Sequence, residues 1–145
     1  MTDAAPKVLY HFTCRFHLPE IAQRGYLNLT TSNFDFTNPK KHPVVWLTSL
    51  PTPENNGLLF DPNMPDEFNK TYVRFTVRKR PYMKQWDQWS TEKGMDANTK
   101  RALIASASAE ETYQSWYVAE RIIGMSDVLL IEDLAAGKTL WQREA

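Results

Sequence analysis

The sequence predicts a single α+β domain, residues 1–145, with a largely antiparallel or mixed β-sheet. Three observations support this. The length of 145 residues fits one ordinary domain. Hydrophobic residues make up 42% of the chain and occur from end to end, which is enough to bury one core. Strand-like and short helix-like segments also follow one another without regular βαβ alternation, which argues against a parallel α/β fold.

The first half of the chain contains two predicted strands separated by a short helix. Val8–Phe12 is an apolar stretch typical of a strand, and Val44–Ser49 is rich in β-branched and aromatic residues, as in a buried strand. Leu18–Gly25 predicts a helix of two turns, because Pro19 suits the first turn and Gly25 suits the left-handed position after the last. Loops are predicted for residues 32–43 and 50–70.

In the second half, the clearest pattern is the alternation in Thr71–Arg78. Val73, Phe75 and Val77 point one way and the residues between them point the other, as in a half-buried strand. Asp96–Ala109 is rich in helix formers and predicts the longest helix. Further strands are predicted at Tyr113–Ile123 and Asp127–Glu132, with an edge strand at Lys138–Gln142.

Composition and charge exclude several classes of protein. The 17 basic and 17 acidic residues cancel, which argues against wholesale wrapping of nucleic acid but allows a local basic stripe. No apolar run approaches the about 20 residues of a membrane span, and the first residues lack a signal pattern. We therefore expect a cytoplasmic, monomeric protein with no membrane partner. The single Cys14 excludes an intrachain disulfide and a cysteine-rich zinc site, and we expect no metal.

Three segments carry residues typical of enzyme sites. The first is Tyr10–Thr13, followed by the Ile21–Gly25 helix; the second is Val44–Ser49; the third is Glu120–Ile123, followed by Val128. In this order they resemble the ADP-ribosyltransferase superfamily, whose members share a strand ending in His, a helix closing on Gly-Leu, a mid-chain aromatic strand and a late Glu beginning a strand. The first segment is similar to the DarT-type toxins that ADP-ribosylate DNA, and the third to the poly-ADP-ribose polymerases. The resemblance spans nearly the whole chain.

The resemblance implies a split, strongly bent β-core with short flanking helices, and a site for NAD+. It implies that Glu120 is the catalytic carboxylate and that His11 hydrogen-bonds the adenosine ribose. It further implies that the backbone of Phe12 holds the nicotinamide amide while Thr13 steadies the adenine side. Trp46 stands where the polymerases have Tyr, and an aromatic face there stacks on the nicotinamide ring.

The chemistry of the reaction fits these residue types. Breaking the nicotinamide–ribose bond builds positive charge on the ribose, much as in glycoside cleavage. A carboxylate beside the sugar stabilises that charge, which is the role expected of Glu120. Thr48 lies on the same strand face as Trp46, so we expect it to orient Glu120. Val118 stands where arginine-modifying relatives carry a second Glu, which argues against an arginine target.

The predicted function is transfer of ADP-ribose from NAD+ to a macromolecule, with nucleic acid favoured over protein, by a toxin or a factor in bacterial and phage conflict. Two alternatives stay open: an NAD+ glycohydrolase, and a catalytically inactive binding or inhibitor domain on the same scaffold. Taken singly, His11 and Trp46 are more typical of core residues, and Glu120 of a solvated ion pair. Their order along the chain favours an NAD+ site.

Two further groups have two interpretations each. A basic stripe, defined as Arg74, Arg78, Lys79 and Arg80, either contacts phosphates or forms a solvated strand face. Trp86 and Trp89 either stack on a nucleobase or pin a loop to the core.

Overall fold

The computed structural model describes residues 6–29, 43–53, 62–105 and 112–144. These residues form three α-helices, a seven-stranded antiparallel open sheet and a two-stranded sheet, which confirms the predicted α+β class. Most of the predicted loop at 32–43 lies outside the described residues, as does the middle of the predicted loop at 50–70.

The strands, in chain order, are β1 (Val8–Thr13), β2 (Tyr26–Leu27), β3 (Val45–Thr48), β4 (Val73–Arg78), β5 (Met83–Gln85), β6 (Trp116–Ala119), β7 (Ile123–Gly124), β8 (Val128–Asp133) and β9 (Lys138–Gln142). The large sheet has the order β5-β6-β3-β1-β4-β8-β9, and each neighbouring pair is antiparallel. β2 and β7 form the small sheet. The predicted strands at residues 8–12, 44–49, 71–78, 127–132 and 138–142 are therefore confirmed.

The helices are α1 (Leu18–Arg24), α2 (Trp86–Glu92) and α3 (Ala97–Ala105). α1 ends as predicted: Gly25 has a left-handed φ of 80°, and its N–H donates to the carbonyl of Ile21 at 2.8 Å. α3 follows Asp96, whose carboxylate accepts from the Thr99 N–H at 3.0 Å, as an N-cap does. The final part of the predicted Asp96–Ala109 helix, residues 106–109, lies outside the described residues.

One face of the large sheet packs against α1 and the small sheet, and we call it the α1 face. The alternation of β4 is as predicted, because Val73, Phe75 and Val77 are fully buried on this face while the residues between them are half-buried. Ile21 of α1 and Ile123 of β7 join the same apolar cluster. Burial of this cluster is the main apolar contribution to stability.

The opposite face of the sheet packs against α2, and we call it the α2 face. Trp46, Trp116 and Val118 form an apolar cluster there with Trp86 and Trp89 of α2. Both α2 tryptophans are fully buried, so they pin their segment to the core, which was one of the two interpretations of this pair. The sequence predicts neither α2 nor β5. For α2 the reason is that aromatic side chains are moderate helix formers at best.

The prediction of one strand over Tyr113–Ile123 is wrong. The segment contains a 3-10 turn (Thr112–Ser115), β6, a bend at Glu120 and Arg121, and then Ile123 in β7. The chain leaves the large sheet because Ile123 pairs with Leu27 of the small sheet and is buried among the α1-face side chains. Glu120 therefore follows a strand and does not begin one.

None of the α-helices in the described ranges is long and apolar enough to cross a membrane.

Candidate active site

β1 lies in the middle of the large sheet and is unequally paired with its two neighbours. It pairs with β4 at six positions, from Val8 opposite Arg78 to Thr13 opposite Val73. With β3, the described residues of β1 pair at one position, where Tyr10 lies opposite Thr48. Beyond Tyr10, β1 and β3 lie side by side without backbone pairing between the described residues, and we call this unpaired stretch the β1–β3 gap.

His11 bridges this gap. Its Nδ1–H donates to the carbonyl oxygen of Trp46 at 2.8 Å. A carbonyl oxygen can only accept, so the proton lies on Nδ1, and Nε2 is an acceptor in the neutral ring. Burial lowers the pKa of His11 and the charge of nearby His17 lowers it further; the hydrogen bond to Trp46 raises it, but the net pKa is below the ordinary value. The ring is therefore neutral near pH 7.

The backbone of Phe12 also faces the β1–β3 gap. The N–H of Lys79, which follows β4, donates to the carbonyl of Lys7 before β1 at 3.0 Å, so the backbone groups of odd-numbered β1 residues point towards β4. Because backbone groups alternate along a strand, the N–H and C=O of Phe12 point towards β3. The Trp46 carbonyl, bonded to His11, points into the gap from the other side.

The side chains of His11 and Thr13 lie on the α1 face. The His11 ring meets the ring of Phe75 edge-on, with centroids 6.2 Å apart and planes at 71°. Thr13 is buried and is paired with Val73. Since strand side chains alternate, the side chain of Phe12 lies on the α2 face.

Trp46 is half-buried on the α2 face, within the aromatic cluster. Its ring centroid lies 6.5 Å from that of Trp86 and 6.1 Å from that of Trp116. Part of the ring is therefore packed against other indoles, and part is open to solvent.

Glu120 lies in the bend after β6, on the side of the sheet that α2 covers. Its Oε2 is 3.1 Å from Nζ of Lys93, the residue that follows α2 as its C-cap. Burial raises the pKa of Glu120, but hydrogen bonds from Lys93 and Trp89 and the charges of Lys93 and Lys84 outweigh burial, so the pKa lies below its ordinary value. The carboxylate is therefore ionised at neutral pH.

The prediction that Thr48 orients Glu120 is wrong. Thr48 Oγ1 donates to Ser115 Oγ at 3.4 Å and accepts from the Leu50 N–H at 3.1 Å. Thr48 pairs with Trp116, four residues before Glu120, which is about 13 Å along a strand. Alternation gave the correct face for Thr48 but not its position along that face.

The structure places β6, β3 and β1 next to one another, so the three predicted segments are neighbours. Trp46 and Glu120 share the α2 face, whereas His11 points to the α1 face. The His11 and Glu120 backbones are two strand spacings and about three residues apart, or roughly 14 Å. The three side chains therefore do not converge on one point.

The basic stripe is largely paired with carboxylates. Arg74 bonds Glu132 at 2.7 Å, while Arg78 and Arg80 approach Asp127 at 3.7 and 2.7 Å. Lys79 lies over the ring of Tyr117 at 5.9 Å. The three arginines thus share two carboxylates, which reduces the positive field that the sequence predicted here.

Lys93, Trp89 and Lys84 act on Glu120, and the sequence indicated none of them. Trp89 lies in α2 and Lys93 caps that helix four residues later, a spacing that puts the two side chains on one helix face. The four-residue spacing indicates a shared face only if the segment is a helix, and the Trp-rich sequence does not predict a helix there.

The described residues contain no group of three or more His, Cys, Asp and Glu side chains that could hold a metal ion. No family model, no curated protein and no solved structure matches this chain.

Proposed function

We propose that this protein is an NAD+-dependent ADP-ribosyltransferase with a macromolecular acceptor, acting in the cytoplasm as a toxin or conflict factor. The observation that carries the proposal is the β1–β3 gap, with His11 bridging it through Nδ1. The gap interrupts the backbone pairing in the middle of the sheet, on the strand that carries His11, Phe12 and Thr13. The resemblance to the ADP-ribosyltransferases implies a split β-core whose NAD+ cleft is lined by these strands.

The groups at the gap match parts of NAD+. The Nε2 of neutral His11 can accept a hydrogen bond from a ribose hydroxyl, and the lowered pKa keeps it available. The backbone of Phe12 offers one donor and one acceptor side by side, which complements the donor and acceptor of a carboxamide. Thr13, next along β1, is assigned to the adenine side.

The nicotinamide riboside end is assigned to the α2 face. Trp46 offers a partly open ring there for stacking, and Glu120 supplies the negative charge that stabilises a developing ribose cation. Because His11 faces the other side of the sheet, we assign the adenosine end of NAD+ to the α1 face and the nicotinamide riboside end to the α2 face, where it would cross β3 to reach Glu120. The separation of roughly 14 Å between the His11 and Glu120 backbones suits an extended dinucleotide.

The decisive experiment incubates the protein with NAD+ labelled in its adenosine moiety and with a cell lysate. Label on protein or nucleic acid is the expected result and means transfer. Free ADP-ribose without labelled macromolecule means hydrolysis, and binding without turnover means an inactive domain on the same scaffold. Either of these two results would replace the transferase proposal.

His11→Phe should weaken NAD+ binding about tenfold or more and destabilise the fold by about 1–3 kcal/mol. The substitution removes the Nε2 acceptor, and it leaves the Trp46 carbonyl without its Nδ1 donor. Calorimetric titration with NAD+ and urea unfolding measure the two effects. His17→Phe is the matched control, because His17 is exposed. Normal NAD+ affinity in His11→Phe would place the ligand elsewhere.

Salt dependence of catalysis should identify the acceptor class. With a nucleic-acid acceptor, kcat/KM should fall steeply between about 50 and 200 mM salt, and Arg78→Ala should flatten that slope. Arg78 is the test position because its contact with Asp127 is the longer of the two arginine contacts there, at 3.7 Å. A label that runs on a protein band and survives nuclease treatment would instead identify a protein acceptor.

A further inference from the structure

We infer that Lys93 is a positioning residue that holds the Glu120 carboxylate in place for the reaction. This inference rests on the proposed function. The contact that carries it is the 3.1 Å approach of Lys93 Nζ to Glu120 Oε2 across the α2 face. Glu120 lies in a bend outside any strand, so its backbone alone does not fix the side chain.

The backbone of Lys93 is held by the last turn of α2. Its backbone N–H donates to the carbonyl of Trp89 at 3.0 Å, which closes the last turn of α2. α2 is in turn fixed to the sheet by Trp86 and Trp89, which are fully buried. An ammonium group at the end of a helix is also favoured by the helix dipole. The backbone of Lys93 is therefore fixed to the sheet, and from there its side chain, 36% exposed, reaches Glu120 at the surface.

The other groups near Glu120 have lesser or different roles. Trp89, on the same helix, is fully buried and helps to lower the pKa of the Glu120 carboxyl, while Lys84 of β5 acts through its charge alone. Arg121 follows Glu120 directly, but its guanidinium lies over the ring of Tyr82 at 4.5 Å. Lys93 thus combines a hydrogen bond and a charge on Glu120, and its removal should have the largest effect on the carboxylate.

Lys93→Met should lower kcat about tenfold and move the acid limb of the kcat/KM–pH profile upward by about half to one pH unit. The carboxylate would lose its orientation, and its pKa would rise towards the ordinary value, so protonation would set in at higher pH. Lys93→Arg, which keeps the charge and the donor, should restore most of both properties. Lys70→Met is the matched control, because Lys70 is exposed and remote in sequence from this contact.

The test has a kinetic and a spectroscopic arm. pH profiles of NAD+ consumption are measured for the wild-type chain and the three variants, and the Glu120 carboxyl is titrated by NMR in the wild type and Lys93→Met. We expect the NMR pKa and the acid limb to rise together. An unmoved acid limb in an active Lys93→Met enzyme, or an unmoved carboxyl pKa, overturns the inference and leaves the proposed function standing. A wild-type chain that does not consume NAD+ overturns both.

Discussion

Glu120→Gln should lower the turnover of NAD+ on the order of a hundredfold or more, with NAD+ affinity changed far less. The substitution keeps the size of the side chain but removes the negative charge. That charge is present at neutral pH in the folded protein, because Lys93, Trp89 and Lys84 together hold the pKa of Glu120 below its ordinary value. It acts on the ribose cation, which develops only in the transition state, so kcat falls and ground-state binding does not.

Single-turnover kinetics and calorimetric NAD+ titration measure these two quantities separately. Glu67→Gln is the matched control: Glu67 is an exposed carboxylate in the 3-10 turn Asp66–Phe68. Full activity in Glu120→Gln would show that another carboxylate serves the reaction. Equal loss of affinity and turnover would show that Glu120 acts in binding.

Phe75→Ala should destabilise the fold by about 3–5 kcal/mol. Phe75 is fully buried in β4 on the α1 face, at the centre of the larger apolar cluster. Truncation removes apolar contacts and leaves a cavity that the paired strands on either side, β1 and β8, cannot close. The loss is a large fraction of the stability of an ordinary domain.

Urea unfolding measures this change, and Phe16→Ala is the control because Phe16 is 55% exposed, so its truncation should change the stability by less than about 0.5 kcal/mol. The His11 ring packs on Phe75, so Phe75→Ala should also loosen β1 at His11 and weaken NAD+ binding. A cost below about 1 kcal/mol would mean that the sheet is not packed as described.

Most elements of the fold could be predicted from local patterns. The alternation around Phe75 predicts β4 because a strand exposes successive side chains to opposite faces, and this requires no partner strand. Pro19 and Gly25 bound α1 through their own backbone preferences. The break of the predicted Tyr113–Ile123 strand could not be predicted, because Ile123 leaves the sheet only to pair with distant Leu27.

In the candidate site, too, some features could be predicted from local sequence and others could not. The sequence determined by itself that His11, Trp46 and Glu120 stand on or beside three strand-forming segments. It did not determine the partners of Glu120, because Lys93 reaches it from a helix that only tertiary packing against Trp46 and Trp116 stabilises.

Which faces the site residues occupy was decided by the tertiary structure alone. Each strand fixes its own alternation, but the register between strands decides which residues share a face, and a shift of one residue exchanges the two faces. Here Tyr10 pairs with Thr48 and Trp46 with Val118. That register places Trp46 with the α2 cluster and turns His11 to the α1 face. Register depends on the burial of both faces and on the loops that join the strands, and neither can be obtained from one strand's sequence.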